Sequence, residues 1–314
     1  RLMGKGRFTV VEMGAGKGWF CYDIINLIRN EFPEFFEEID YKIVEISRNL
    51  IERQSNTLKG LEDKVSWESF SEDGFSFEPV VGSFLSNEFV DSLPVHQVVV
   101  EDNCLKEIYV TIKEDKFCEV IDDLSDPVLE DYFAKSKTNL IDGQRAEVNL
   151  KALDWMKNIP HYLNRGFVIT IDYGHLAEDL YSEQRYRGTL MCYYEHTTSE
   201  NPYERVGSQD ITSHVNFSSL MEAGSRCGLS TTGFTRQSRF LIALGILDKM
   251  NKVQGDIGKL LTIKNLFLPG GMGDVFKVLI QHKGIDNPEL IGLRSMSEPE
   301  LVREIEGLEN EETL

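Results

Sequence analysis

Positive charge is scarce in this chain: 33 Lys and Arg stand against 52 Asp and Glu, a net of −19. So acidic a surface is poorly suited to clamping nucleic-acid phosphates or an anionic membrane, and it favours a basic partner. No apolar run approaches the ~18 residues of a membrane span. Cysteine is sparse and unpatterned: Cys21, Cys104, Cys118, Cys192 and Cys227 form no C-x-x-C pair and no zinc spacing. The odd count reads as reduced thiols in a bacterial cytoplasm or a matrix-like compartment, and the pI of about 4.8 leans towards the cytoplasm. The P-loop pattern is missing because Lys17 is followed by Gly18, and the G-x-G-x-x-G fingerprint fails because its third glycine arrives one residue early. Residues 1–8 resemble neither a signal nor a transit peptide and run straight into a strand, which reads as an internal point of a longer protein.

What is present is 314 residues, 41% hydrophobic, ample for a large core. Residues 8–13 and 41–46 read as strands, as do 65–67 and 80–85, with helical spacing at 20–28 and 50–58 between them. Pro33 marks a break near the end of the first helix. Strands separated by helices imply βαβ units and a mostly parallel sheet. Residues 95–121 change rhythm to short strand-like runs between polar turns, the pattern of inserted antiparallel hairpins. Helices are expected at 128–135, 150–163, 217–226 and 238–250, and strands at 166–172, 229–234 and 276–280. Residues 183–216 read as a long polar and aromatic loop. The tail 286–314 carries nine acids and two bases and reads as solvated or frayed.

The first strand runs into Glu12-x-Gly14-x-Gly16-x-Gly18. Glycines at such a turn let the backbone approach a ligand, and the next helix's N-terminus favours an anionic group there; a ligand-free turn is the alternative. Glu45 closes the second strand, where an acid can accept both ribose hydroxyls of a nucleoside cofactor, or simply open the following helix. Trp67, Glu68 and Ser69 stand where adenine is commonly flanked, although a lone Trp is more often core. After the fourth strand comes Ser86-Asn87-Glu88-Phe89-Val90-Asp91-Ser92-Leu93-Pro94-Val95-His96. Its carboxylates and amide can hold a cationic acceptor and the cofactor, while Asn87, Asp91 and Ser92 are equally good capping and turn residues. His96 reads as capping a packed loop.

The E-M-G-A-G-K-G loop and S-N-E-F-V-D-S-L-P-V-H together resemble the MidA-like class I methyltransferase family. Ile171-Asp172-Tyr173-Gly174-His175, the segments 188–193 and 209–217, Gly271-Met272-Gly273 and 276–279 match the same pattern in order, so the resemblance spans nearly the whole chain. It implies an α/β, class I methyltransferase Rossmann-like fold: a mostly parallel seven-stranded sheet with an inserted antiparallel β-hairpin region. The implied organisation is a cofactor-binding first half at 1–94, the insertion at 95–145, and a second half at 146–285 before the acidic tail. S-adenosylmethionine is the implied cofactor, at Glu12, Gly14, Ala15, Gly16, Gly18, Glu45, Glu68, Ser69 and Asn87, with no metal. The family's mitochondrial relative is linked to symmetric dimethylation of an arginine in a complex I subunit, which implies a protein partner with an arginine-bearing segment. Two departures stand out: the family's N-terminal segment is missing, and its usual loop proline is Ala15.

Arginine is a hard acceptor because its guanidinium stays protonated and delocalised. Acidic side chains can fork against it and orient one nitrogen. Glu88 is the first choice for that role and Asp91 the second, with Asp172 and Tyr173 lining the acceptor side. Asp172 fits a capping role equally well. His214 is a candidate base or a structural hydrogen-bonding residue, and Arg185, Tyr186 and Arg187 either steer an acidic substrate segment or form a solvated face. The leading reading is a protein arginine methyltransferase. Its competitors are a non-catalytic assembly factor that keeps the fold and the cofactor, and a nicotinamide dehydrogenase, which the glycine spacing disfavours. Oligomeric state is not legible.

Overall fold

The computed structural model describes residues 6–71, 74–195, 197–253, 255–268 and 270–294, so the tail beyond 294 lies outside the described residues. In chain order the first elements are β1 (Phe8–Met13), α1 (Trp19–Glu31), β2 (Ile39–Val44), α2 (Arg48–Thr57), β3 (Val65–Glu68) and β4 (Val80–Asn87). Next come β5 (His96–Glu101), β6 (Cys104–Lys113), β7 (Lys116–Asp122), α3 (Val128–Ser136), β8 (Arg145–Val148) and α4 (Leu150–Tyr162). After β9 (Leu163–His175), three short strands follow: β10 (Met191–Tyr194), β11 (Thr197–Ser199) and β12 (Asp210–Thr212). Then β13 (Val215–Asn216), α5 (Phe217–Arg226), β14 (Ser230–Arg236) and β15 (Phe276–Lys283) complete the set used below.

The chain divides into two compact units, one from residues up to 86, 162–172 and 229 onward, the other from 87–161 and 173–228. In the first, the sheet runs β14-β15-β9-β4-β1-β2-β3. β1 lies parallel to β2 and β4, β2 lies parallel to β3, and β14 and β15 close the far edge as an antiparallel pair. The mostly parallel seven-strand path matches the expectation. α1 packs Cys21 and Ile25 against Tyr41, Ile43 and Leu58. Full burial of a side chain such as Ile25 stabilises by roughly 2 kcal/mol. α1 ends at Glu31, and Pro33 opens a separate short helix at its first position, where a missing N–H costs nothing.

The second unit carries the expected antiparallel insertion as a four-strand sheet, β8-β5-β6-β7. Leu129, Tyr132 and Phe133 of α3 pack with Val98, Ala146, Val148 and Tyr181 into its core. No helix among the described residues is long and apolar enough to cross a membrane.

Three local expectations need correction. The second strand is Ile39–Val44 instead of 41–46, because Phe8 pairs with Ile39 and the ladder with β1 ends at Val44, leaving Ile46 82% exposed. The helix expected at 238–250 is two helices, Gln237–Ala243 and Ile246–Lys252, interrupted by Gly245 at φ 82. Such a left-handed residue cannot continue a right-handed helix. The 183–216 loop contains a three-strand antiparallel sheet, with β10 between β11 and β12. Strands of three or four residues are too short to show periodicity.

Candidate active site

In the first unit, Gly14, Gly16 and Gly18 all adopt positive φ, 72°, 53° and 81°. Side chains disfavour that region, so the loop's path depends on its glycines. The Gly18 N–H donates to the Ala15 carbonyl at 2.8 Å, closing the turn into α1. A Cβ on Gly16 would meet nothing within 4 Å, so the backbone is open to a ligand there. On β1 just before the loop, Glu12 is 3% exposed and accepts the Tyr41 hydroxyl at 2.9 Å. Burial pushes its carboxyl up to about 7, against the lowering by Tyr41. Glu12 is therefore a core carboxyl held by Tyr41, two residues before Gly14.

Glu45 sits just past the end of β2, as expected, but its carboxylate is already engaged. Oε1 accepts the N–H groups of Ile46 and Ser47, each at 2.9 Å, and Oε2 accepts Gln54 Nε2 at 3.1 Å. Two lone pairs per oxygen leave room for one more donor on Oε2, so one ribose hydroxyl fits directly and a second would have to displace a donor.

Gln54 is the residue that sequence reasoning missed. It is fully buried on α2, where Leu50, Gln54 and Leu58 share a face. Its Nε2 also donates to the Gly16 carbonyl at 3.0 Å, and its Oε1 accepts Trp67 Nε1 at 2.9 Å. One amide thus joins the glycine loop, the Glu45 carboxylate and the Trp67 indole. The available signal was a polar residue on an otherwise apolar helical stripe. Gln54→Leu is expected to lower stability by about 2 kcal/mol and weaken S-adenosylmethionine binding about ten-fold, since it strips a partner from the half-buried Glu45 and Trp67 side chains and from the Gly16 carbonyl. Thermal melts and calorimetry would check both numbers.

Glu68 and Ser69 are held by protein partners. Glu68 accepts Lys42 at 2.5 Å, Ser66 at 3.1 Å and Ser76 at 2.8 Å. Burial pushes its carboxyl up, but Lys42 and the two hydroxyls outweigh it and the net shift is downward. The Ser69 N–H donates to Ser76 Oγ at 2.9 Å.

The acceptor candidates gather in the second unit, with one exception. Glu88 follows β4 at φ 49, an uncommon left-handed conformation for a charged residue, and its side chain is exposed. Asp91 is 4% exposed and accepts the Tyr173 hydroxyl. The turn between them is pinned: the Val90 carbonyl accepts Asn149 Nδ2 at 3.1 Å, the Asp91 carbonyl accepts the Ser213 N–H at 3.1 Å, and Phe89 packs on Trp155. Both carboxyls are pushed up, Glu88 by partial desolvation and then the Asp91 charge, Asp91 by burial against the lowering effect of Tyr173. Asn87 donates to Glu88 Oε1 at 3.3 Å. His214 packs its ring 5.6 Å from Tyr173 and 5.3 Å from His175. Asp172 is the exception: it is fully buried, and strand alternation turns it to the opposite face of β9 from Tyr173.

Residues 1–235 match the family described as "Putative S-adenosyl-L-methionine-dependent methyltransferase". The chain belongs to that family. S-adenosylmethionine is accordingly the cofactor, and the open glycine loop with the remaining acceptor site on Glu45 fits it. A structure from Burkholderia thailandensis with S-adenosyl-homocysteine bound is 30% identical, with a TM-score of 0.82 over 93% of this chain and 76% of that one. The fold is that of the class I methyltransferases. Among curated relatives, the mitochondrial protein arginine methyltransferase NDUFAF7 homolog of Caenorhabditis elegans is 25% identical over 79% of this chain. Protein arginine methyltransferase NDUFAF7 of Xenopus laevis, also mitochondrial, is 23% identical over 88%. The chain spans 60% of the length of the first and 68% of the second.

Proposed function

We propose that this methyltransferase-family chain transfers a methyl group to an arginine of a protein, and that Glu88 with Asp91 receives the guanidinium. The observation that carries the reading is the acidic pair directly after β4, one member exposed and the other buried against Tyr173. The names of the worm and frog relatives support arginine as acceptor. By the family resemblance, the acceptor belongs to a respiratory complex I subunit, and the compartment is a bacterial cytoplasm or a mitochondrial matrix.

When bound, S-adenosylmethionine supplies an electrophilic methyl on a sulfonium. In the first unit, Gly14, Ala15, Gly16 and Gly18 would hold the methionine portion, with Glu45 on the ribose. In the second unit, Glu88 presents an accessible carboxylate to the cationic acceptor and orients one nitrogen. Asp91, fixed by Tyr173, adds a second negative charge that favours the guanidinium and raises the proton affinity of Glu88 until the cation arrives. The positive φ at Glu88 places backbone strain at this residue, as often occurs at functional sites. Asp172 fits a structural role in this arrangement.

The test is turnover. Protein with S-adenosylmethionine and an arginine-bearing partner should yield methylarginine detectable by mass spectrometry. Cofactor binding without any methylated product would favour the assembly-factor reading instead.

A further inference from the structure

The second unit holds a cavity of about 520 Å³, within the size range of ligand sites. Arg145, Arg185 and Arg187 line it with Glu119, Glu147 and Glu200, and His214 reaches it as well. Three guanidinium groups converge here in a chain of net charge −19. A backbone bridge sets residues 145 and 187 side by side.

Two of the acids are committed to the protein. Glu147 is buried and accepts the Thr189 N–H and hydroxyl at 2.8 Å each and the Leu190 N–H at 3.3 Å. Residue 188 must be glycine for the loop to pass over it, because a Cβ there would lie 2.3 Å from Glu147 Oε1. Glu119 takes both Arg145 Nη atoms, at 3.2 and 2.7 Å, and the Tyr203 hydroxyl at 3.2 Å. The other two cations are not locked against a carboxylate in this way. Arg187 is 85% exposed and meets Glu200 only at 3.7 Å. Arg185 donates Nη2 to His175 Nε2 at 3.0 Å and Nη1 to the Asp179 carbonyl at 2.5 Å and Ser182 Oγ at 3.4 Å, which does not exhaust its five N–H donors.

We infer that this cavity takes an Asp or Glu side chain of the polypeptide acceptor, recognised by Arg187 and Arg185. The inference rests on the protein-acceptor reading above. A single carboxylate fits better than a phosphate, because the three glutamates on the same wall repel a dianion while two guanidinium groups suffice for one charge. Leu190, Met191 and Pro202 give the stem of such a side chain apolar contact. The cavity also communicates with the acceptor residues inside the same unit. His214 lines it, packs against Tyr173, and Tyr173 holds Asp91. The preferred segment therefore carries an acid near its arginine.

Fluorescence anisotropy tests this with labelled glycine-rich peptides, each bearing one arginine and one Asp at varied offsets, against Asn counterparts. The protein is used with S-adenosyl-homocysteine, so that binding is read without turnover. At one offset the Asp peptide should bind at least about ten-fold more tightly than its Asn partner, the gain of a charge-assisted pair. Arg187→Glu should abolish that preference and favour a Lys peptide, while Arg226→Ala, outside the cavity, should keep the Asp preference. Equal affinities at every offset, no binding of any peptide, or an Asp preference that survives Arg187→Glu would each overturn the assignment. Methylation of the same peptides with S-adenosylmethionine is scored separately. An Asp preference without methylarginine would sink the arginine reading and leave the cavity's role standing.

Discussion

Glu88→Gln is expected to reduce methyl transfer to an arginine-bearing partner by at least about 100-fold, with S-adenosylmethionine affinity within about two-fold of the parent. The substitution keeps the shape and one acceptor oxygen but removes the charge that pairs with the guanidinium, and Asp91 stays engaged by Tyr173. Cofactor affinity should be spared because the hydrogen bond from a proposed cofactor residue to Glu88, the Asn87 amide on Oε1, can still be accepted by the glutamine oxygen. The pH profile adds a second reading of the same residue. Desolvation and Asp91 raise the Glu88 carboxyl, so kcat/KM should climb with pH to a midpoint above the ordinary value of a glutamate carboxyl. Glu88→Gln should flatten that limb. Single-turnover kinetics with calorimetry on the same samples separates chemistry from binding; unchanged turnover would remove Glu88 from the clamp.

Glu12→Gln is expected to stabilise the protein at pH 8 by about 3 kcal/mol relative to the parent and to make almost no difference below pH 4.5. The folded carboxyl sits at about 7 against an ordinary 4.5. Between those values the folded state holds a proton that the unfolded chain has released, so the parent loses stability as pH rises through that window, by about 1.4 kcal/mol per unit. Below 4.5 both states are protonated and the contribution is fully present; above about 7 the loss levels off. Glutamine removes the titration, and its amide oxygen still accepts the Tyr41 hydroxyl. Urea melts of both proteins from pH 4 to 8 would show converging curves at the acid end. Parallel curves would mean that Glu12 does not titrate between folded and unfolded states in this window.

The parallel core, the hairpin insertion and the glycine turn were legible because each rests on local rules. β-branched runs, helical spacing and glycines at a strand end act over fewer than about fifteen residues, and the topology follows from the alternation of strand and helix. Glu12, Glu45 and Glu88 were legible for the same reason, since they stand at or beside strand ends whatever the rest of the chain does. Breaks such as Gly245, and strands as short as Thr197–Ser199, leave too little periodicity to read.

By itself, then, the sequence determined the fold class, the net acidity of the chain, and which strand ends carry carboxylates. Only the tertiary structure decided how those carboxylates are used. Gln54, nine residues beyond Glu45, consumes part of its accepting capacity because a helical turn aims it into the core. Tyr173 reaches Asp91 across 82 residues of chain, while its neighbour Asp172 turns to the other face of β9. Hydrogen bonds and burial are set by neighbours distant in sequence, so composition and spacing can nominate an acid without showing which of its lone pairs is left for a ligand.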